Sequence, residues 1–397
     1  MYDQLAVLAT FVFLYSLVSK SLEQTVVSGP MIFVTAGFLM GPSALGWFPG
    51  DNPDTLMRIL ADLTLALFLF IDAANANLRV LRERYTIPGR MLLIGLPGAI
   101  LLGFLAALAL FGSLSVYEAA ILATMLAATD AALGKAVVTN PDVPSRLREG
   151  LNVESGLNDG LCVPILFLFI ALEMGTSAGR GHGLTLLVKE LGIGLVVGAG
   201  LSLIGGGLLR VCGKRGLVSE TWVQMTTVAL ALACFATAQS LHGSGYIAAF
   251  AGGMIFGFIA GDSTHRLVHA AEAIGETLAL LTWLLFGVVV LGPLIDKATW
   301  AVVLYALLSL TVVRVLPNVL ALRGTGEPMS TRLFLGWFGP RGLASIVFVI
   351  IVLQAGVPNG ETMALTVACT VLFSLVLHGA TANPLGAWIA RKDAGDP

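Results

Sequence analysis

The sequence predicts an all-α polytopic membrane protein with about thirteen transmembrane helices, and three observations support this fold class. Hydrophobic residues make up 57% of the 397 residues. Charged residues make up 12%, which is about half the roughly 25% of soluble domains, and mean hydropathy is +0.90. Apolar stretches of roughly 20 residues, enough to cross a hydrocarbon core of about 30 Å, recur from end to end. Because lipid offers the backbone no hydrogen-bond partners, we expect these stretches to be helices.

The loops between the predicted spans are alternately rich and poor in Lys and Arg. The centres of the spans lie near residues 12, 36, 66, 101, 127, 159, 198, 231, 252, 279, 310, 342 and 373. Loops on one side hold fifteen basic residues: Lys20, Arg79, Arg82, Arg84, Arg90, Arg146, Arg148, Arg210, Lys214, Arg215, Arg266, Arg323, Arg332, Arg391 and Lys392. Loops on the other side hold three: Arg58, Arg180 and Lys297. The positive-inside rule makes the first set cytoplasmic, which predicts an external N-terminus and a cytoplasmic C-terminus in a bacterial inner membrane.

An odd number of spans allows two inverted repeats within a single transmembrane domain, 1–397. The repeats are expected at about 3–175 and 219–391, linked by helix 7 at about 184–213, and no soluble C-terminal domain is expected. Inverted repeats place substrate sites on interrupted helices near the bilayer midplane. Spans 5 and 12 would correspond, and both carry helix-breaking sequence, AATDAALGK in span 5 and GWFGPRGLAS in span 12. The sequence therefore predicts two broken helices that cross near the midplane.

Four spans place a charged residue at a similar depth. Asp159 lies eleven residues beyond the inner-loop Arg148, which puts it about 16 Å deep at 1.5 Å per residue. The same estimate gives about 20 Å from the outer surface for Asp130, and about 14 Å and about 10 Å from the inner surface for Arg341 and Asp72. Charges at such depths are costly and mark ion or proton pathways. We therefore expect these four residues to lie near one another.

Span 6 contains the densest polar sequence, NVESGLNDG, at residues 152–160. Ser155 and Asp159 are four residues apart and share one helix face, whereas Glu154 and Asn158 share the neighbouring face. Oxygen ligands suit hard cations, so Ser155, Asp159 and the carbonyls freed at the break near Thr129 are a candidate cation site. Glu154 is the expected ion-pair partner of Arg341, because an unpaired arginine at that depth would be unstable.

Several segments, in order along the chain, resemble those of a known transporter family. They are ATDAALGKAVVTNPDVPSRLREGLNVESGLNDG, GSGYIAAFAGG, FGPRGLASI and HGATANPL. They resemble the hallmark segments of the monovalent cation/proton antiporters, specifically the NhaP-type sodium/proton branch, which includes the eukaryotic sodium/proton exchangers. The resemblance covers nearly the whole membrane domain, and the ESGLNDG block is highly specific. It implies homodimers and a role in pH homeostasis.

The resemblance implies site roles by position. Asn158 and Asp159 match the family's paired Asn-Asp, with Asp159 binding the cation or the proton. Thr129 and Asp130 match the Thr-Asp of the unwound fifth helix. One departure is Ala131, where many members have proline.

The remaining matches concern the ion pair and the pathway. Glu154 and Arg341 match the family's structural ion pair, Ser155 matches a cation-ligating serine, and Asp72 falls where members carry an acidic residue near the inner funnel. The implied monovalent cation ligands are Asp159, Ser155, Thr129 and Asp72. No resident cofactor and no catalytic residue of an enzyme are expected.

The predicted function is exchange of Na⁺, with Li⁺ possible, for H⁺ by alternating access, in which cation and proton compete for Asp159. Asn158 in place of a second carboxylate favours electroneutral one-for-one exchange. K⁺/H⁺ exchange on the same fold is the alternative. A passive cation channel, which usually needs a symmetric ring of carbonyls or acids, fits less well. The ionisable residues are buried asymmetrically, and broken helices occur at corresponding positions of the two repeats. Nucleic-acid binding has no basic patch to support it.

Other polar residues in the spans leave alternatives open. Glu272 and Glu276 share a face of span 10 and could line a cytoplasmic funnel or only pair with neighbours. His378 in span 13 is interpreted as a helix-packing histidine rather than a pH sensor. Arg314 is placed close enough to the inner surface to extend toward it, and it is assigned no function.

Overall fold

The computed structural model describes residues 2–23, 27–48, 53–75, 86–130, 133, 135–138, 140, 143–178, 180–292 and 297–393. Within these ranges all regular secondary structure is helical. The first half of the chain contains α1 (Tyr2–Glu23), α2 (Gly29–Met40), α3 (Pro53–Asn75), α4 (Thr86–Leu110), α5 (Val116–Met125), α6 (Lys135–Val138), α7 (Ser145–Ala178) and α8 (Arg180–Lys214). The second half contains α9 (Glu220–Ser240), α10 (Gly245–Ala260), α11 (Thr264–Leu291), α12 (Trp300–Leu310), α13 (Val312–Ala321), α14 (Met329–Trp337), α15 (Leu343–Gln354) and α16 (Gly360–Asp393).

A helix, or a pair of helices around an interruption, lies at each predicted span. By length and composition, six helical segments of the described chain could cross a membrane: α4, α7, α8, α11, α12 with α13, and α16. Shorter apolar helices lie between them. Span 5 divides into α5 and α6, and span 12 divides into α14 and α15. The predicted all-helical polytopic fold with broken helices 5 and 12 is confirmed, whereas the repeat boundaries stay a prediction.

The helices form two packed groups. One contains α2, α3 and α8 to α11, and the other contains α4, α5, α7 and α12 to α16. Within the first group, Gly253 and Gly257 of α10 lie so close to the carbonyls of Phe70 and Ala74 in α3 that added Cβ atoms would overlap them. Small residues four apart allow membrane helices this close approach. The two groups meet where α3 and α10 contact α7, and where α3 contacts α15.

Candidate functional site

The two interrupted spans are joined to each other at their breaks. After α5 ends, residues 126–130 leave the helical path, and residues 338–342 do the same between α14 and α15. The backbone N–H of Asp130 donates to the carbonyl of Pro340 at 2.8 Å. The guanidinium Nη1 of Arg341 donates to the carbonyl of Ala128 at 3.0 Å. Each break therefore supplies hydrogen-bond partners for backbone groups that the other break leaves outside a helix.

The side chain of Asp130 lies at the start of α15. Its Oδ2 accepts a hydrogen bond from the backbone N–H of Leu343 at 3.0 Å. Leu343 is the first residue of α15, and a carboxylate at a helix N-terminus is favoured by the unpaired N–H groups and the helix dipole. In this structure Asp130 therefore stabilises the half-helix, which agrees with the position predicted for it at the break.

Gly342 gives a direct test of this arrangement, because a Cβ at that position would overlap the carboxylate of Asp130. We expect Gly342→Ala to displace Asp130 from Leu343 and to lower the free energy of unfolding by about 1–3 kcal/mol, the usual cost of overpacking. Detergent-solubilised protein can be compared by thermal unfolding. Gly200→Ala is the matched control, since no described residue beyond its own helical turn lies within 4 Å of its added Cβ. Equal effects of the two substitutions would contradict the close contact.

Thr129 is held by two residues of α7. The hydroxyl of Ser155 donates to the carbonyl of Thr129 at 2.7 Å. Asn158 makes a reciprocal pair: its Oδ1 accepts from the Thr129 N–H at 3.2 Å, and its Nδ2 donates to the Thr129 hydroxyl at 2.6 Å. All three side chains are buried. The structure thus brings together the predicted Thr129, Ser155 and Asn158, and it uses the amide of Asn158 to fix the unwound segment.

Asp159 differs from these neighbours because part of its carboxylate has no partner. Its Oδ1 is buried and has no hydrogen-bond partner within the described part of the chain. The carboxylates of Asp130 and Asp72 are near enough to interact with it electrostatically. A buried carboxylate oxygen without a donor, in an acidic surrounding, is suited to take up a proton or a cation.

The predicted ion pair between Glu154 and Arg341 is wrong, because the structure pairs Glu154 with Arg314 of α13. The two Glu154 oxygens accept from Arg314 Nη1 at 2.7 Å and from Nη2 at 2.9 Å. Arg341 instead donates to backbone carbonyls, those of Ala128 at 3.0 Å and Ser309 at 3.4 Å. Parallel donation to both carboxylate oxygens is the strongest geometry for arginine. Arg314 is buried, so the expectation that its side chain extends to the inner surface is wrong.

An acidic cavity of about 190 Å³ lies between α3, α7 and α11. Its lining includes three predicted residues, Asp72 of α3 and both Glu272 and Glu276 of α11. The cavity also reaches Gly156 of α7, three residues before Asp159. Within the lining, Asn75 donates to Glu272 at 3.0 Å. The three predicted acids therefore line one cavity, which reaches α7 about one turn before Asp159. Their role as a funnel stays a prediction.

Aromatic residues of α10 pack against α7 at Gly160, the residue after Asp159, and farther along the helix. The ring of Phe250 occupies the space that a side chain at Gly160 would need. Farther along α7, Phe167 stacks on Tyr246 with ring centroids 6.5 Å apart, and the Tyr246 hydroxyl donates to Asp62 at 2.6 Å. The sequence assigned no role to these aromatic residues, although Tyr246 and Phe250 lie in the segment GSGYIAAFAGG. Gly160, directly after Asp159, was the available signal for a close contact.

Comparisons with known proteins identify the family of the chain. The family described as the transmembrane sodium/hydrogen exchanger matches residues 7–388. The chain belongs to this family. The sequence resemblance is thereby confirmed, and the chain is related to cation/proton transporters.

Individual exchangers are distant relatives. The K(+)/H(+) antiporter NhaP of Alkalimonas amylolytica is 24% identical over 366 residues, which are 90% of this chain and 62% of that protein. The Na(+)/H(+) antiporter 2 of Zygosaccharomyces rouxii is 24% identical over 380 residues, 88% of this chain and 46% of that protein. The chain thus spans less than two thirds of the length of either relative.

A solved structure shows the same exchanger fold. The sodium proton antiporter MjNhaP1 from Methanocaldococcus jannaschii superimposes with a TM-score of 0.80, covering 96% of this chain and 99% of its own. Sequence identity is 18%, so this similarity concerns the fold alone.

Proposed function

We propose that this member of the exchanger family exchanges a monovalent cation for H⁺ across the membrane, with Na⁺ the leading substrate and Li⁺ also accepted. The observation that carries the proposal is the buried, unpartnered Oδ1 of Asp159 beside an acidic cavity lined by Asp72. Deprotonated Asp159 would bind the cation, and protonated Asp159 would let the empty carrier return. No resident cofactor takes part.

The remaining cation ligands would be the polar oxygens around the break in span 5. The Ser155 hydroxyl bonds to the Thr129 carbonyl and the Thr129 hydroxyl bonds to Asn158, both at this break. Asp72 lines the cavity through which the cation would arrive. Glu272 and Glu276 would attract cations into that cavity by their charge. Asn158 and Asp130 would position the break rather than bind the cation directly.

One cation would exchange for one proton, because Asp159 is the only carboxylate proposed to bind both. The neighbouring Asn158 cannot ionise, and Asp130 is engaged by the N–H of Leu343. Exchange in proteoliposomes should therefore be insensitive to an imposed membrane potential. A rate that depended strongly on the potential would rule out this stoichiometry.

K⁺/H⁺ exchange is the second candidate, because one relative over 90% of this chain is named a K(+)/H(+) antiporter. We further propose residence in a bacterial cytoplasmic (inner) membrane, with the N-terminus outside, the C-terminus inside and two copies forming a homodimer. The distribution of Lys and Arg among the loops supports this orientation.

A proteoliposome assay tests the function and the substrate together. A pH-sensitive dye inside preloaded vesicles reports proton movement after addition of Na⁺, K⁺ or Li⁺ at several pH values. We expect the strongest response to Na⁺, whereas a dominant response to K⁺ would favour the second candidate. Absence of a response to all three cations would overturn the proposed exchange, and cation flux without proton movement would indicate a channel.

A further inference from the structure

The break between α14 and α15 leaves backbone groups that need partners. Membrane-embedded backbone must be satisfied within the protein, since lipid supplies neither donors nor acceptors. Asp130 satisfies one side of the break, through the carbonyl of Pro340 and the N–H of Leu343. On the opposite side lie the carbonyl of Trp337, which ends α14 and accepts from the Gly339 N–H at 2.8 Å, and the N–H of Arg341. Both groups are met by α16.

His378 and Ser374 of α16 supply these partners. His378 Nε2 lies 3.0 Å from the carbonyl oxygen of Trp337, and because a carbonyl only accepts, Nε2 carries the proton. The hydroxyl of Ser374 accepts from the Arg341 N–H at 2.7 Å and lies 3.1 Å from His378 Nδ1. With the proton on Nε2, the Ser374 hydroxyl can donate to Nδ1. The backbone carbonyl of Ser374, which also lies 3.1 Å from Nδ1, then receives no proton from the imidazole.

The packing of the imidazole adds to this connection. Its ring stacks on the indole of Trp337 with centroids 5.0 Å apart, and the indole Nε1 donates to Thr381 of α16 at 3.0 Å. His378 and Ser374 are four residues apart, so they share one helix face. One face of α16 therefore holds both ends of the break, the end of α14 and the approach to α15.

We propose that His378, acting with Ser374, is a positioning residue that sets the geometry of the cation site through the break in span 12. Residues of that break contact the segment around Thr129: Pro340 binds the N–H of Asp130, and Arg341 binds the carbonyl of Ala128. These two groups flank Thr129, whose oxygens face Ser155 and Asn158. Loosening the break displaces Thr129 and weakens cation binding, although His378 itself touches no substrate.

The inference rests on the proposed exchange, and variants of His378 test it. Leucine keeps the bulk but removes both hydrogen bonds, whereas glutamine can donate to Trp337 and accept from Ser374. We expect His378→Leu to raise the cation KM about tenfold with little change in maximal rate, the pattern of lost ground-state binding, and His378→Gln to stay within about twofold of wild type. Ser374→Ala combined with His378→Leu should add little, because the two residues act as one unit.

Thr370→Val is the matched control on the same helix. The Thr370 hydroxyl is buried and donates at 2.7 Å to the carbonyl of Thr366 in its own helix, so its loss removes a buried hydrogen bond without affecting the break. The control should leave the cation KM within about twofold of wild type. An unchanged KM in His378→Leu, or a glutamine variant no better than leucine, would overturn the proposal.

Amide hydrogen exchange gives a readout that does not depend on transport. Exchange of the peptide spanning residues 338–343 should be at least about tenfold faster in His378→Leu than in wild type or Thr370→Val, because the N–H of Arg341 loses its restrained acceptor. Unchanged exchange in this peptide would refute the positioning role even if no variant transported cations. If His378→Leu shows the expected faster hydrogen exchange but the wild-type protein does not exchange cations, only the proposed function is contradicted.

Discussion

Replacing Asp159 with asparagine should abolish cation-dependent proton movement. Asparagine keeps the shape of the side chain but cannot take up or release a proton, and it offers a cation no negative charge. In the variant the unpartnered Oδ1 is replaced by an atom of a neutral amide, which has no negative charge for a cation or a proton to neutralise. We expect the fluorescence response of proteoliposomes to fall to that of protein-free vesicles with each of Na⁺, K⁺ and Li⁺.

Glu190→Gln provides the control for removal of one carboxylate. Glu190 lies on α8, away from the residues that line the acidic cavity, so this variant should transport as wild type does. Before reconstitution, the purification yield and the melting temperature of the two variants are compared, and we expect both values to be the same. Retained exchange in Asp159→Asn would show that another group carries the proton, and the proposed competition at Asp159 would have to be abandoned.

The interrupted helices and the polar faces of span 6 could be predicted from sequence because each depends on local chemistry. Glycine, proline and Thr-Asp clustered within one apolar span, as in AATDAALGK and GWFGPRGLAS, weaken the helix locally. A single proline does not suffice, since Pro164 and Pro384 lie inside the continuous helices α7 and α16. The four-residue spacing of Glu154 and Asn158 correctly predicted neighbours, since Asn158 Nδ2 donates to Glu154 Oε1 at 3.3 Å. The same amide also binds the Thr129 hydroxyl. Aspartate at position 158 would lose both donations, so its effect on stoichiometry could not be separated from damage to the break.

The partner of Glu154 could not be chosen from sequence, because depth along a span does not give direction around it. Arg341 follows Arg332 by nine residues, and Arg314 precedes Arg323 by nine residues, so both arginines lie about 14 Å from the inner surface. The spacing that marked Arg341 as buried applied equally to Arg314. Only tertiary packing decides which guanidinium faces Glu154, because the two paired residues are 160 positions apart in the sequence.

The covering aromatic residues on α10 were missed for a related reason. Phe250 lies in GSGYIAAFAGG, where a phenylalanine among small apolar residues looks like any other membrane residue. Its meaning comes from Gly160, whose missing side chain leaves room for the ring. A sequence shows that a glycine follows Asp159, but not which helix uses the space.

We expect removal of one partner of the Glu154–Arg314 ion pair to lower the free energy of unfolding strongly, and removal of both partners together to lower it much less. Both side chains are buried, and breaking a buried pair leaves an uncompensated charge at a cost of about 3–5 kcal/mol. We expect Arg314→Met and Glu154→Gln each to lower the free energy of unfolding by about that amount. The double variant should recover most of the loss, because it leaves neither charge unpaired. Reversible unfolding in mixed detergent micelles measures all four proteins.

A second double-mutant cycle, with Arg341→Met in place of Arg314→Met, distinguishes the observed ion pair from the one predicted from sequence. Arg341 donates to the carbonyls of Ala128 and Ser309, so Arg341→Met leaves unsatisfied acceptors that Glu154→Gln cannot relieve. Its effect should therefore be nearly additive with that of Glu154→Gln, whereas the Arg314 cycle should show a coupling energy above about 1 kcal/mol. A larger coupling of Glu154 to Arg341 than to Arg314 would restore the pairing expected from sequence and contradict the structure.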